Sequence, residues 1–171
     1  MVKNRNKNRV FRFNRRIRGQ TDYQLRLKLL KSQMMRVVIR KSNNNMLVQF
    51  VDYAPEGDKI VTSVKSDSLK KYKYDGHTGN IVSAYLTGYL AGKRLLKTKF
   101  KGECIVDFGL QRVLYGNRLF ATVKGVKDAG VNVLVDDVVF PSESRLKGEH
   151  LTKKIAVAIE DVKKEIGKVV A

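Results

Sequence analysis

Two apolar runs separated by polar residues set the pattern of this chain. In Arg36–Tyr53, RVVIRKSNNNMLVQFVDY, the stretches RVVIRKS and MLVQFVDY are rich in Val, Ile, Phe and Tyr, and Asn43, Asn44 and Asn45 lie between them. Asparagine tolerates positive φ, so the pattern predicts a β-hairpin turning on the asparagines. Pro55, Gly57 and Asp58 make a second turn into a third strand, Lys59–Lys65, which extends the hairpin to an antiparallel meander. A short polar helix over Ser66–Tyr72 and a glycine-bearing loop over 73–80 lead into a long helix, Ile81–Lys97. Within it Ala84, Gly88 and Gly92 recur every fourth residue, a small-residue stripe expected to seat the helix close on the sheet.

The second half alternates strands and helices. Glu103–Gly109 is nearly all apolar, as expected of a central strand buried on both faces. Asn117 is placed to cap a helix over 118–129, Gly130 to end it in the left-handed conformation, and 131–135 reads as the last strand. This order implies right-handed crossovers and parallel pairing. The whole is an α/β fold, a mixed five-stranded sheet with an antiparallel meander, a parallel βαβαβ half and packed helices. Before the sheet, Thr21 and Asp22 offer an N-cap and a first-turn acid to the helix TDYQLRLKLLKS. After it, 136–149 is an irregular link containing Pro141. A final helix then carries Leu151, Ile155, Ile159, Val162 and Ile166 on one stripe. That stripe requires cover, from the domain or from a partner.

Length and charge sharpen the picture. The 171 residues suit one globular domain, 21–135, preceded by an arm over 1–20 and followed by the link and helix over 136–171. The 35 Lys and Arg against 16 Asp and Glu give a net charge of +19, which calls for a polyanionic partner. No apolar run approaches the roughly 20 residues of a membrane span, and no apolar segment follows the basic N-terminus as a secretory signal would require. The chain is therefore expected to be soluble and without a membrane partner. One cysteine, Cys104, forms no internal disulfide and reads as a small core residue in a reducing compartment. No metal-ligand spacing is present, so neither metal nor cofactor is expected.

Candidate binding residues follow the charge. The arm MVKNRNKNRVFRFNRRIRGQ holds Lys3, Arg5, Lys7, Arg9, Arg12, Arg15, Arg16 and Arg18 and no acid. A run of this kind buries too little apolar surface to fold alone, so it is expected to order on a nucleic acid, with Phe11 and Phe13 placed to stack on bases. Arg26 lies on the basic face of the next helix. At the hairpin tip Arg40, Lys41, Ser42, Asn43, Asn44 and Asn45 set cations, a hydroxyl and carboxamides where no core is packed, the groups that contact phosphates, sugars and base edges. An ordinary solvated turn would carry the same residues. Gln49 on the second strand joins this set. The loop ending in His77, Thr78, Gly79 and Asn80 opens a helix N-terminus, which favours anions. Arg94 and Arg118 are added by charge and loop proximity.

Taken together these segments resemble one family. RVVIRKSNNNMLVQFVDY is similar to the signature hairpin of the large-subunit ribosomal protein family that binds 5S ribosomal RNA, family eighteen, called protein five in eukaryotes. FRFNRRIRGQTDYQLRLKLL resembles the arginine-rich stretch of its archaeal and eukaryotic branch, with Phe13, Asn14 and Gln20 as departures. GHTGNIVSAYLTGYLAG, LFATVKGVKDAGVNV and FPSESRLKGEHL extend the likeness collinearly over residues 9–151. The chain lacks the long C-terminal extension of eukaryotic members, which points to an archaeal-type member. The resemblance implies a structural role: clamping 5S RNA and docking it onto large-subunit RNA at the central protuberance. It also implies neighbouring ribosomal proteins as partners, among them the other 5S-binding protein, in the cytoplasm and with no small-molecule substrate. The contacts it implies are the arm, Arg40 to Asn45, and the loop His77–Asn80.

Two rival classes are set against this. The family's sheet resembles that of ribonuclease-H-like folds, where metal-dependent catalysis needs converging carboxylates. Asp52 and Asp107 lie on strands, but RVVIRKS and Ile81–Lys97 supply no acid, so no enzyme is expected and the two aspartates read as partners for nearby Lys and Arg. A general RNA chaperone working through the arm alone is the other alternative. It would show little preference for 5S RNA, and deleting residues 1–20 would abolish its binding.

Overall fold

A computed structural model describes residues 11–151 and 153–170, and the backbone alone for 153–158 and 170. Five strands form one sheet: β1 Met35–Lys41, β2 Met46–Asp52, β3 Lys59–Lys65, β4 Glu103–Asp107 and β5 Asn132–Val133. Their order is β3-β2-β1-β4-β5, with β1 antiparallel to β2 and parallel to β4. The helices are α1 Asn14–Ile17, α2 Tyr23–Lys31, α3 Ile81–Lys97, α4 Arg118–Asp128, α5 Glu143–Leu146 and α6 Lys153–Val170, and Ser66–Tyr72 forms a 3-10 helix. The mixed sheet, α2, α3, α4, α6 and the 3-10 helix over Ser66–Tyr72 are those expected from the alternation of apolar and polar positions; the short helices α1 and α5 are not.

Asparagine and aspartate fix where the helices begin. Asp22 caps α2 by accepting from the Gln24 and Leu25 amides, while Thr21 is taken by Arg15. Asn80 accepts from the Ser83 amide at 2.6 Å, and Asn117 from those of Leu119 and Phe120. Gly130, at φ +104, closes α4 as anticipated. In β1 and β2 the inward residues Val37, Ile39, Met46, Val48 and Phe50 are fully buried, consistent with a two-residue repeat covered by α3 and α4 on one face. Burying each such side chain is worth about 1.5–3 kcal/mol.

Several expectations are corrected. The small-residue stripe of α3 faces α4, not the sheet. A methyl group on Gly88 would collide with the Thr122 carbonyl, one on Gly125 with that of Tyr85, and one on Gly92 would lie 2.6 Å from the Ala129 Cβ. Three glycines thus let two helix backbones meet. β4 is buried on both faces only at Cys104; Ile105, Val106 and Asp107 are half-buried because the second face of the sheet is only partly covered. β5 shrinks to two paired residues, and the link after it contains a turn of 3-10 helix, Asp137–Val139, together with α5. The stripe of α6 finds its cover within the chain: Ile159, Val162 and Ile166 are buried, and α6 lies on α3 and on the 3-10 helix. Ile155 falls outside the described side chains. Cys104 is buried in the core, and that burial pushes its thiol up to about 12.

The second face carries α2. Arg36 of β1 is 2% exposed there, and its Nη2 lies 2.8 Å from Asp58 Oδ2. Arg26 of α2 donates to the same oxygen at 2.9 Å. One carboxylate therefore joins a helix, a strand and the turn before β3. Burial pushes Asp58 upward, but the two guanidiniums outweigh it and hold the carboxyl below its ordinary value.

Candidate nucleic-acid interface

The turn at the hairpin tip is built by a serine. The Ser42 amide donates to Asn45 O at 2.8 Å, and the Asn45 amide donates back to Ser42 Oγ at 3.0 Å. Among the described residues no asparagine takes positive φ, so the expected reason for the asparagines is wrong. Serine closes the turn by capping it, as it would a helix.

Three elements then grip the tip from outside the hairpin. Arg118, the first residue of α4, donates through Nη1 to Gly79 O and stands 3.4 Å from Asn43 O and 3.5 Å from Ser42 O. Thr78 Oγ1 donates to Asn44 O at 2.6 Å. The Asn45 amide lies between the loop and the 3-10 helix; in the orientation that satisfies its neighbours, its nitrogen donates to Asp67 Oδ1 at 2.5 Å and Thr78 Oγ1 at 3.3 Å. Gly79 is buried against this junction, where a Cβ would come within 2.5 Å of Asn43 O. The Gly79 amide donates to His77 Nδ1 at 3.1 Å. Tyr74 OH donates to Asn80 Oδ1 at 3.1 Å, completing the cap.

This arrangement divides the candidate residues. Lys41, Ser42, Asn43, Asn44 and His77 are exposed around the tip. Arg118 and Thr78 are brought to the same place but are occupied in holding its main chain, while Gly79 accepts from Arg118 and the Asn45 and Asn80 side chains are taken up by Asp67, Thr78, Ser83 and Tyr74. Because Asn80 already takes the Ser83 amide, the start of α3 offers less to an anion than its sequence suggested. Arg40 turns away from the tip: its Nη1 donates to Ile39 O and Asp107 O, and its Nη2 to Asp107 Oδ1 at 3.2 Å. Its guanidinium lies against Gly109, 3.0 Å from where a Cβ would sit, and the φ of +63 there favours glycine. Gln49 sits mid-strand beside Ser63, and Arg94 lies near the far end of α3, about 21 Å of helix from Asn80. Arg26 is bound to Asp58. These four are not assembled with the tip.

The arm is described from Phe11; Lys3, Arg5, Lys7 and Arg9 lie outside the described residues. Phe11, Arg12, Arg15, Arg16 and Arg18 are exposed, and Asn14–Ile17 takes a single helical turn where a structureless segment was expected. Local partners account for the turn: Arg15 Nε donates to Thr21 Oγ1 at 2.9 Å, and the Phe13 and Tyr23 rings stand 5.0 Å apart.

Two structural residues escaped the sequence reading. Gln111 donates to Ile39 O and Phe108 O and accepts from the Lys41 amide at 2.8 Å, bracing the hairpin from the loop after β4. Asp58 looked like a turn residue. Neither has a local signal, since each acts on a strand far away in sequence. The strand aspartates are engaged as well: Asp107 with Arg40 and, at 3.6 Å, Arg36, while Asp52 accepts from its neighbour's amide at Tyr53 and pairs with no cation among the described residues. The expectation of a Lys or Arg partner therefore holds for Asp107 and not for Asp52. No group of three or more His, Cys, Asp or Glu placed to hold a metal ion occurs among the described residues, and no described helix is long and apolar enough to cross a membrane.

Comparison with known proteins bears on the same surfaces. Residues 7–103, which include the arm's end, the hairpin and α3, match the family model described as "Ribosomal large subunit proteins 60S L5, and 50S L18". The chain is 44% identical over 139 residues to the large ribosomal subunit protein uL18 of Methanobrevibacter smithii, covering 81% of this chain and 72% of that one. It is 43% identical over 141 residues to uL18 of Methanococcoides burtonii, covering 82% and 81%. It is also 43% identical over 140 residues to uL18 of Korarchaeum cryptofilum, covering 82% and 71%.

Proposed function

The chain belongs to the family of ribosomal large-subunit proteins that includes 60S L5 and 50S L18, and from that premise we propose that it binds 5S ribosomal RNA and anchors it to large-subunit RNA. The observation that carries this reading is the hairpin tip. Its main chain is held by Arg118 and Thr78 while Lys41, Asn43, Asn44 and His77 remain exposed. Donors fixed before contact lose little freedom on binding, so they favour the one RNA whose loops and phosphates fit them. Affinity comes from the net charge of +19, and above all from the arm, through release of counterions. The protein works in the cytoplasm as a structural component, with no substrate turned over.

The test is a salt series of binding to 5S RNA with a scrambled RNA of equal length as competitor. A preference for 5S RNA that persists as salt rises is the expected result. Equal binding of both RNAs, collapsing together, overturns the assignment in favour of a general basic RNA binder.

A further inference from the structure

One exposed patch of the molecule is apolar where most of the surface is basic. In the loop between β4 and α4, Val113, Leu114 and Tyr115 are 45%, 52% and 76% exposed, and beside them Val138 is 85% exposed. The two segments are joined: the Gly116 amide donates to Val139 O at 3.0 Å, and a Cβ on Gly116 would touch the Pro141 backbone. The patch has a firm floor, because Tyr115 meets the edge of the Phe120 ring at 6.2 Å, and Phe120 meets Phe108 at 5.4 Å. Isolated exposed apolar residues are ordinary; four on adjoining, hydrogen-bonded segments form a patch.

Its electrostatic setting is unlike the rest of the chain. From Asp128 to Glu143 there are four acids, Asp128, Asp136, Asp137 and Glu143, and no Lys or Arg, in a protein of charge +19. The nearest lysines are already used. Lys127 pairs with Asp137 at 2.7 Å and Lys124 with Asp128 at 3.1 Å, and both ammonium groups lie over the Phe140 ring. Asp136 is exposed and forms no ion pair among the described residues. Between Asp128 and Glu143, then, the patch is bordered by carboxylates, with Asp136 unpaired among the described residues, and Arg112 is the one cation within its own loop. Apolar side chains rimmed by acid suit a partner that is apolar in its centre and basic at its edge.

We propose that Val113, Leu114, Tyr115 and Val138 form a docking face for another protein of the large subunit, one that presents an apolar segment flanked by Lys or Arg. Gln111 and Arg118 tie the loop that carries this face to the hairpin tip, so the protein contact would adjoin the RNA contact and not overlap its exposed residues.

The experiment places p-benzoylphenylalanine at Val138 in the full chain, assembles it into large subunits in cells and irradiates them. The expected product is a ribonuclease-resistant adduct to one other large-subunit protein, mapped to an apolar stretch bordered by basic residues. An adduct to ribosomal RNA, an adduct to a second copy of this chain, or no adduct overturns the proposal. Alongside, Leu114→Asp with Val138→Asp is expected to lower incorporation into large subunits by about tenfold against wild-type chain, as loss of an apolar anchor should. Incorporation equal to wild type overturns it as well. Binding of the same variant to isolated 5S RNA is expected to stay unchanged. That readout belongs to the RNA assignment, so failure of one is distinguishable from failure of the other.

Discussion

At the hairpin tip, Arg118, Thr78 and Ser42 hold the main chain from the side of α4, from the loop before α3 and from within the turn. In the described part of the arm, the bonds are local: a hydrogen bond from Arg15 to Thr21 and the contact of Phe13 with Tyr23. Both regions are basic and exposed. They differ in how many contacts fix their main chain from elsewhere in the fold. If the chain binds 5S RNA as proposed, the held tip would discriminate between RNAs, because a fixed backbone cannot follow a misplaced phosphate or base, and the arm would contribute mainly charge. On that proposal affinity and specificity are carried by separate parts of the chain, and each can be removed alone.

Removing residues 1–20 has the largest expected effect. Eight of the chain's cations go with them. The slope of log affinity against log salt should flatten by about 0.7–0.9 for each phosphate left without its cation, and binding near physiological salt should fall by about a hundredfold or more. The ratio of 5S to scrambled RNA should survive, measured by competition at matched salt. A ratio that drops to one would mean that the arm, not the tip, does the discriminating.

Arg118→Ala reverses the pattern. It leaves the tip's carbonyl oxygens without their shared donor, at a cost of about 1–2 kcal/mol in stability. Net charge falls by only one, so binding to scrambled RNA should scarcely change. The preference for 5S RNA should fall by about tenfold as the tip loses its fixed geometry. Arg118→Lys should recover little, since an ammonium on a flexible stem does not span several carbonyls as the planar fork does. Competition binding and thermal melting together separate this outcome from simple unfolding.

The two regions also differ in how visible they are in the sequence. The arm is legible at once, because eight cations without an acid need no tertiary structure to be counted. The hairpin is legible as two apolar runs about a polar turn, and so are β3, α3 and α4, whose caps and periodicities are local. What holds the tip is not local. Arg118 stands 39 residues from the carbonyl it grips, and its role depends on α4 packing against α3 through Gly88 and Gly125. Sequence marked that stripe as close packing but assigned it to the wrong neighbour, since spacing within a helix defines a face without naming what lies opposite. Arg40 illustrates the converse. Charge and position placed it with the binding residues, whereas Asp107, brought beside it by the parallel pairing of β1 with β4, makes it a brace.

The smallest expected effect concerns the root of the arm. Asp58 ties Arg26 of α2 to Arg36 of β1, and α2 is where the arm joins the domain. Asp58→Asn removes the charge while keeping the shape. Arg36 is left buried, with Asp107 at 3.6 Å as its remaining partner, and the partial exposure of Asp58 lets water take up some of the difference. The cost should therefore be about 1–2 kcal/mol, below that of breaking a fully buried pair. The sign of its pH dependence follows from the depressed carboxyl. A group whose folded value lies below its unfolded one stabilises above the unfolded value, and that stabilisation is lost as pH falls through the folded one. In the parent chain, melting temperature should decline as pH falls from the unfolded carboxylate value through the lower folded one. In Asp58→Asn, the melting temperature should start lower at neutral pH and decline less over that window. If both chains lose stability in parallel, Asp58 is not what secures α2. The arm's attachment would then rest on Leu29 and the apolar contacts of α2 alone.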